Sequence, residues 1–183
     1  MKRILQNFAG VFALLAAGFT AQATVGIVSG PIYNPATGHD YFIVGLGAWS
    51  QTEAYAQTLG GHLVTINDAA EDAWVTANFL TPNPTINPWM GLHDADANGT
   101  WEWASGEPVT YLNWAAGEPN FPHELHSNLY PANHPWAGQW NNAPDSEESG
   151  VIYGIVEVPE PSVLAVSCLG FAFARSRRFT SKA

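Results

Sequence analysis

Hydrophobic and polar positions in the first part of the chain are arranged like two paired strands. The apolar stretches at 32–33 and 41–44 flank the segment Asn34-Pro35-Ala36-Thr37-Gly38. Asn, Pro and Gly are typical turn residues. The pattern therefore predicts a β-hairpin with a turn longer than two residues.

Two helical segments follow the hairpin. The first begins at Ser50-Gln51-Thr52-Glu53, which has the residues of a capping box, and ends at Gly60-Gly61. After a short strand over 63–66, the second begins at Asp68-Ala69-Ala70-Glu71 and ends before Pro82. On the second helix, helical spacing predicts a buried face formed by Ala70, Trp74, Ala77 and Leu80.

The second half of the chain predicts short strands joined by polar loops. Large aromatic residues punctuate it and can hold a loop-rich region on a core; they are Trp89, Trp101, Trp103, Trp114 and Trp140. Trp101 and Trp103 are expected on one face of a strand, and residues 151–157 on a closing strand. The order of hairpin, two helices and further strands indicates an α+β domain.

Both ends of the chain differ from the region between them. A basic start, an apolar run to Phe19 and Ala21-Gln22-Ala23 predict a signal peptide over residues 1–23. We expect the folded domain at 24–158 and a separate sorting segment at 159–183, which has an apolar stretch followed by arginines. This stretch is shorter than the roughly 20 residues that span a bilayer, but its basic flank is typical of an anchor whose end is cytoplasmic.

Charge is segregated along the chain. All six Lys and Arg residues lie near the termini, whereas the 16 acidic residues lie between Asp40 and Glu160. This argues against nucleic acid, which requires clustered basic side chains, and favours cations or neutral polar ligands. Cys168 is the only cysteine and lies in the tail, so no disulfide is expected in the domain.

An ordered set of motifs resembles the C-type lectin domain from about Tyr41 to Glu157. The set comprises Trp89-Met90-Gly91-Leu92, Gly99-Thr100-Trp101-Glu102-Trp103, Asn113-Trp114, Glu118-Pro119-Asn120 and Trp140-Asn141-Asn142. The resemblance implies a C-type lectin-like α+β fold, with two helices packed on antiparallel sheets and a long loop region. Ala56 and Val156 stand where the family has one conserved disulfide, so an apolar contact is expected in place of about 2–4 kcal/mol of covalent stabilisation.

The same resemblance implies a calcium-dependent carbohydrate site. Its ligands would be Glu118, Asn120, Glu124, Asn141 and Asn142, with a cis proline in Glu-Pro-Asn and two neighbouring hydroxyls of a mannose-type sugar on the Ca²⁺ ion. Asn142 stands where the family has Asp, so these side chains carry charge −2 and weaker calcium binding is expected. Asp145 is a candidate substitute.

The tail resembles a PEP-CTERM sorting signal, on the evidence of Pro159-Glu160-Pro161, the apolar stretch and the Arg cluster. The resemblance implies a Gram-negative bacterium, export to the cell envelope or beyond with initial membrane anchoring, and recognition by an exosortase-type processing enzyme.

Two alternatives to a calcium-dependent lectin remain open at the level of sequence. One is a metal-independent protein-interaction or matrix module that keeps the fold. The other is a zinc enzyme using His123, Glu124 and His126, with His134 nearby, although the spacing is one residue too short for the helical zinc-protease motif. Because no nucleophile elbow, phosphate loop or dinucleotide fingerprint occurs, we expect no enzyme activity.

Two further features of the sequence concern the loops. Residues 94–99 predict a polar turn with at most a minor cation site, because the EF-hand pattern fails at Ser105. Trp114 and Trp136 could stack on a sugar ring, although Trp114 is better placed in the core.

Overall fold

A computed structural model describes residues 25–45, 47–146 and 153–159 as one mixed sheet with two helices. Its strands are β1 (Ile27–Asn34), β2 (His39–Val44), β3 (His62–Leu63), β4 (Trp89–His93), β5 (Glu102–Trp103), β6 (His126–Leu129), β7 (Trp140–Ala143) and β8 (Gly154–Pro159). The helices are α1 (Trp49–Thr58) and α2 (Ala69–Val75), and α2 continues as a π-helical segment, Thr76–Leu80. The expected signal peptide and the tail beyond Pro159 lie outside the described residues.

The strands follow the order β1-β2-β8-β4-β6-β7, with β3 paired to β8 and β5 to β4. Each pairing is antiparallel except that of β4 with β8, where Trp89 lies opposite Gly154 in parallel. The expected α+β layout with two helices is confirmed, whereas the sheet is mixed rather than antiparallel as expected. The parallel junction joins the hairpin half of the domain to the half that carries the long loops.

The predicted hairpin is confirmed, and the closing strand is longer at its end than expected. β8 runs through Pro159, which lies opposite His39 of β2. The closing strand was expected to end at residue 157 and the domain at 158, but a proline is tolerated at a strand end because it removes only one donor.

The predicted capping box at the start of α1 was wrong. Ala48 occupies the N-cap and makes no side-chain cap bond. Glu53 instead accepts a hydrogen bond from the Leu63 backbone N–H at 2.8 Å and pairs with His62 at 2.7 Å. Asp145 accepts a hydrogen bond from the Ser50 N–H at 3.1 Å, so a residue far along the chain holds the first turn of α1.

The start of α2 is confirmed, because the Asp68 side chain accepts hydrogen bonds from the backbone N–H groups of the first turn. The predicted buried face was wrong in part: Leu80 is buried, but Ala70 and Ala77 are exposed. Glu71 and Asp72 are buried in their place because both are hydrogen-bonded, Glu71 to Tyr41 and Asp72 to residues 111 and 113. The π-helical turn further shifts which side chains face the core.

The core consists of two apolar clusters. Ala56 and Val156 are fully buried in the same cluster, as expected for an apolar replacement of a disulfide. The other cluster is built on Trp140, whose ring is contacted edge-on by Trp103 at 5.8 Å and Trp114 at 5.9 Å. Trp101 lies outside β5, half-buried, so it does not share a strand face with Trp103. Among the described residues, no helix is long and apolar enough to cross a bilayer.

Candidate functional site

The loop that carries Glu118, residues 115–125, is anchored on the backbone of Trp140. The Trp140 N–H donates to the Asn113 carbonyl, and its own carbonyl accepts from the Ala115 N–H, each at 2.9 Å. The Glu118 N–H then closes a tight turn onto the Ala115 carbonyl at 3.0 Å. The Glu118–Pro119 peptide is cis, as the resemblance implied.

Glu118 presents one oxygen to neighbours and keeps the other without a partner. Its Oε1 accepts from the Asn120 amide at 3.1 Å and lies 3.2 Å from the Tyr130 hydroxyl. Its Oε2 is buried and has no hydrogen-bond partner. Burying an anionic oxygen without a partner is costly, so this atom is a position that a bound cation would satisfy.

Asn141 is brought to Glu118 by Tyr130. The Tyr130 hydroxyl lies 3.0 Å from the Asn141 Oδ1, so one hydroxyl contacts two of the predicted ligands. The Asn141 amide donates to the Asn128 Oδ1 at 3.1 Å and to the Asn142 carbonyl at 2.7 Å. Strands β6 and β7 thus fix the side chain on one side of the loop.

Asn142 ties the loop to β7. It is only 2% exposed. Its Oδ1 accepts from the Asn120 N–H at 3.0 Å, and its Nδ2 donates to the carbonyls of Phe121 at 2.9 Å and Glu124 at 3.1 Å. An Asp at this position could accept the first bond but could not donate the other two. The side chain that the sequence placed among the ligands is therefore engaged in closing the loop.

Two carboxylates influence one another at this site. Burial raises the pKa of the Glu124 carboxyl, with His123 opposing the shift and Glu118 adding to it. Burial and the nearby Glu118 carboxylate also raise the pKa of Tyr130 to about 12, so its hydroxyl is a neutral donor at physiological pH. A cation between the two carboxylates would relieve their repulsion.

The donor set fits a hard cation. Glu118, Asn120, Glu124 and Asn141 supply carboxylate and amide oxygens, the ligand types that Ca²⁺ prefers, and fewer than the 6–8 that it takes. The remaining positions would be open to water or to sugar hydroxyls. Asp145 does not join this set, since its carboxylate holds the start of α1.

The zinc alternative gains no support from the arrangement. His123 is exposed, whereas the His126 ring is packed 4.6 Å from that of Trp49. Within residues 25–45, 47–146 and 153–159, no three His, Cys, Asp or Glu side chains converge as metal ligands would.

A cavity of about 460 Å³ lies beside the candidate ligands. One wall is the turn at 94–99, where Asp94 accepts hydrogen bonds from the N–H groups of Asn98 at 3.0 Å and Gly99 at 2.7 Å. This is the predicted polar turn. The lining also includes Asn120, Phe121 and Glu124.

Sequence reasoning missed Tyr130 and Asn128. Both contact predicted ligands, yet neither belongs to a motif with a recognisable spacing. The position of Tyr130 directly after β6 gave no indication that its hydroxyl would reach Glu118.

A long loop carrying carboxylates and amides on an α+β core is the arrangement of a lectin-type domain. The family model described as "Lectin C-type domain" matches residues 47–152, and the chain belongs to this family. Proteins of this fold are carbohydrate-binding or interaction modules rather than typical enzymes.

Individual relatives include a receptor, a lectin domain and an antifreeze protein. Human C-type mannose receptor 2 is 31% identical over 110 residues, which are 55% of this chain and only 7% of the receptor. The C-type lectin domain of murine dendritic cell inhibitory receptor 2, solved in complex with an N-glycan, gives a TM-score of 0.59 at 26% identity, covering 70% of this chain and 96% of that one. A calcium-independent type II antifreeze protein gives the same TM-score, 0.59, at 19% identity, covering 73% and 96%, and shows likeness of fold alone.

Proposed function

We propose that this protein is an exported, calcium-dependent lectin that binds neutral, mannose-type sugars of surface or extracellular polysaccharide. The observation that carries the proposal is the buried Oε2 of Glu118, which lacks a hydrogen-bond partner in a loop rich in oxygen ligands. A structural carboxylate is normally satisfied by donors, whereas a metal-binding carboxylate must keep an oxygen available.

The proposal gives each of these residues a role. Glu118, Asn120, Glu124 and Asn141 would hold Ca²⁺, which supplies a positive centre for two adjacent sugar hydroxyls. The same side chains accept from and donate to those hydroxyls, so orientation and specificity come from the protein. Asn142 closes the loop through its hydrogen bonds and contributes at most through its Oδ1.

The charge of the domain favours a neutral ligand. The described residues contain no Lys or Arg, and the site itself is acidic. An anionic polysaccharide would be repelled outside the immediate range of the metal. Hydroxyl-rich neutral sugars carry no such penalty.

Replacing Glu118 by Gln tests the proposal. Glu118→Gln keeps the shape of the side chain but removes the charge, so calcium-dependent binding of mannosides should fall at least tenfold, the effect of about 1.4 kcal/mol. Glu102→Gln is the matched control because Glu102 is exposed on β5. Calorimetric titration would measure the affinities for Ca²⁺ and for methyl α-mannoside in the wild type and in both variants. Equal calcium affinity in wild type and Glu118→Gln would overturn the assignment of the site.

A metal-independent interaction module is the second candidate. The observation that favours it is Asn142, which closes the loop without any ion. Thermal unfolding with Ca²⁺ and with EDTA separates the two, because Ca²⁺ at about 100 times its dissociation constant stabilises by about 2.7 kcal/mol. Identical unfolding midpoints would favour the interaction module.

Export and processing are a separate proposal. Residues 1–23 would be removed as a signal peptide, and residues 159–183 would anchor the protein until an exosortase-type enzyme acts on them. N-terminal sequencing of the mature protein should begin at Thr24, and intact mass should show whether the tail has been cleaved. A mature protein retaining residues 1–23 would contradict the first part.

A further inference from the structure

Three aromatic side chains form a cluster on the turn between β6 and β7, residues 130–139. The Tyr130 and His134 rings are stacked, with centroids 4.2 Å apart and planes at 6°. The Trp136 ring lies 5.5 Å from each of them and inclined to both. Trp136 is 39% exposed, so part of its indole surface remains open to a ligand.

The turn is held by its own backbone and by a neighbouring loop. The Tyr130 N–H donates to the Gln139 carbonyl at 2.8 Å, and the Gln139 N–H donates to the Trp136 carbonyl at 2.9 Å. The Asn133 N–H donates to the Pro84 carbonyl at 3.0 Å, which joins the turn to the loop that follows the π-helical segment. The turn is therefore already ordered, and binding of a ligand on Trp136 would cost little conformational entropy of the protein.

This cluster is continuous with the candidate calcium site. The hydroxyl of Tyr130 contacts Glu118 and Asn141, while the ring of the same residue contacts His134 and Trp136. One tyrosine side chain thus separates the proposed ligands of the ion from the exposed indole. The Trp136 ring lies 5.5 Å from the Tyr130 ring, and the Tyr130 hydroxyl lies 3.2 Å from Glu118, so adjacent sugar residues of one oligosaccharide can contact both ends of this side chain.

The chemistry of the cluster selects the same class of ligand as the site beside it. An indole face is apolar and matches the C–H face of a pyranose ring, while the hydroxyls at the ring edge stay hydrated. The described part of the chain offers no Lys or Arg, so an anionic group has no such partner there. This favours a neutral hexose.

We propose that Tyr130, His134 and Trp136 form a second subsite, in which Trp136 stacks on the pyranose next to the one bound at the calcium site. The inference rests on the proposed lectin function and extends it from a single sugar to an oligosaccharide. Its consequence is a preference for chains over monosaccharides that does not involve the ion.

The test compares one sugar with three. Calcium-dependent binding of methyl α-mannoside and of linear mannotriose is measured by calorimetry on the full chain, in wild type and in Trp136→Ala. Trp136→Ala should leave the affinity for the monosaccharide unchanged and lower that for mannotriose about fivefold, within the range that aromatic contacts contribute. Trp136→Phe should retain part of the preference, since it keeps an aromatic face.

Tyr33→Ala is the matched control. Tyr33 is 51% exposed on β1, at the opposite edge of the sheet from β7. Its replacement removes an exposed aromatic without touching the turn, so mannotriose binding should not change. Unfolding midpoints of all variants show whether any loss of affinity reflects loss of fold.

The outcomes separate the two proposals. A monosaccharide that binds with calcium, together with a trisaccharide preference that persists in Trp136→Ala, would overturn the subsite and leave the lectin function standing. If the wild type bound methyl α-mannoside and mannotriose with equal affinity, the subsite would likewise be overturned and the lectin function would stand. Failure of both sugars to bind in calcium would overturn the mannose-binding function and the subsite with it.

Discussion

Replacing Asn142 by Asp restores the residue that the family pattern has at this position, yet we expect it to destabilise the metal-free protein. The amide donates to the Phe121 and Glu124 carbonyls from a position that is 2% exposed. A carboxylate cannot donate, and it would place negative charge against both carbonyl oxygens.

The size of the effect follows from these two bonds. A buried hydrogen bond contributes about 0.5–1.5 kcal/mol net, and leaving its acceptor unsatisfied costs more. We therefore expect the free energy of unfolding to fall by about 2–3 kcal/mol. In a domain of this size, that corresponds to a drop of about 10 °C in the unfolding midpoint.

Calcium should reverse part of this loss. In the Asn142→Asp variant, the candidate ligands would carry charge −3 rather than −2, so the ion would bind more tightly and stabilise the variant more than the wild type. The gap between the two unfolding midpoints should therefore be widest in EDTA and narrow in millimolar Ca²⁺.

Thermal unfolding followed by circular dichroism, in EDTA and in Ca²⁺, measures both effects. Asn133→Asp is the control because Asn133 is exposed and the change in charge is the same. If Asn142→Asp matched the wild type in EDTA, the amide would not be closing the loop and the reasoning would fail.

Other predictions concern stability. Burial raises the pKa values of the Glu71 and Asp72 carboxyls above their ordinary 4.5 and 3.8, so the folded state binds more protons than the unfolded state between the ordinary and raised values. Their contribution should favour folding as pH falls through the raised values and be lost as pH returns to 7; urea unfolding across this range checks it, and Asp72→Asn should flatten the profile. Because burial raises the pKa of Glu124, this carboxyl should become protonated as pH falls and bind Ca²⁺ more weakly. Calcium titrations at pH 7 and pH 5 would show the difference. Finally, the pair Ala56→Cys and Val156→Cys should form a disulfide and stabilise by about 2–4 kcal/mol, an effect that dithiothreitol should remove.

Local sequence patterns were sufficient to predict structural features formed by residues that are close together in the sequence. The hairpin turn and the Asp68 cap each involve residues within a few positions of each other. The cis peptide before Pro119, in contrast, was implied by the family resemblance. The Ser50–Glu53 pattern failed because a distant partner competes: Glu53 is engaged by His62 and Leu63.

Side-chain roles at the site depended on contacts that spacing does not encode. The sequence placed Asn142 among the candidate ligands but gave no indication that its amide would donate to two carbonyls of the neighbouring loop. The role of Tyr130 was not predicted for the same reason, since its hydroxyl contacts Glu118 and Asn141, which are more than ten residues away in the sequence. The burial of Glu71 and Asp72 was missed because carboxylates are expected at the surface until their donors are known.

Because Asn142 closes the loop through its own hydrogen bonds, the fold of this segment should not depend on whether an ion is bound. When a bound metal orders a loop, dissociation of the metal disorders that loop, and each rebinding event must order it again. Here the loop is ordered by the side-chain amide of Asn142. Under the proposed function, loss of the ion should therefore release a bound sugar while the loop stays folded, so that the site can bind again as soon as calcium returns.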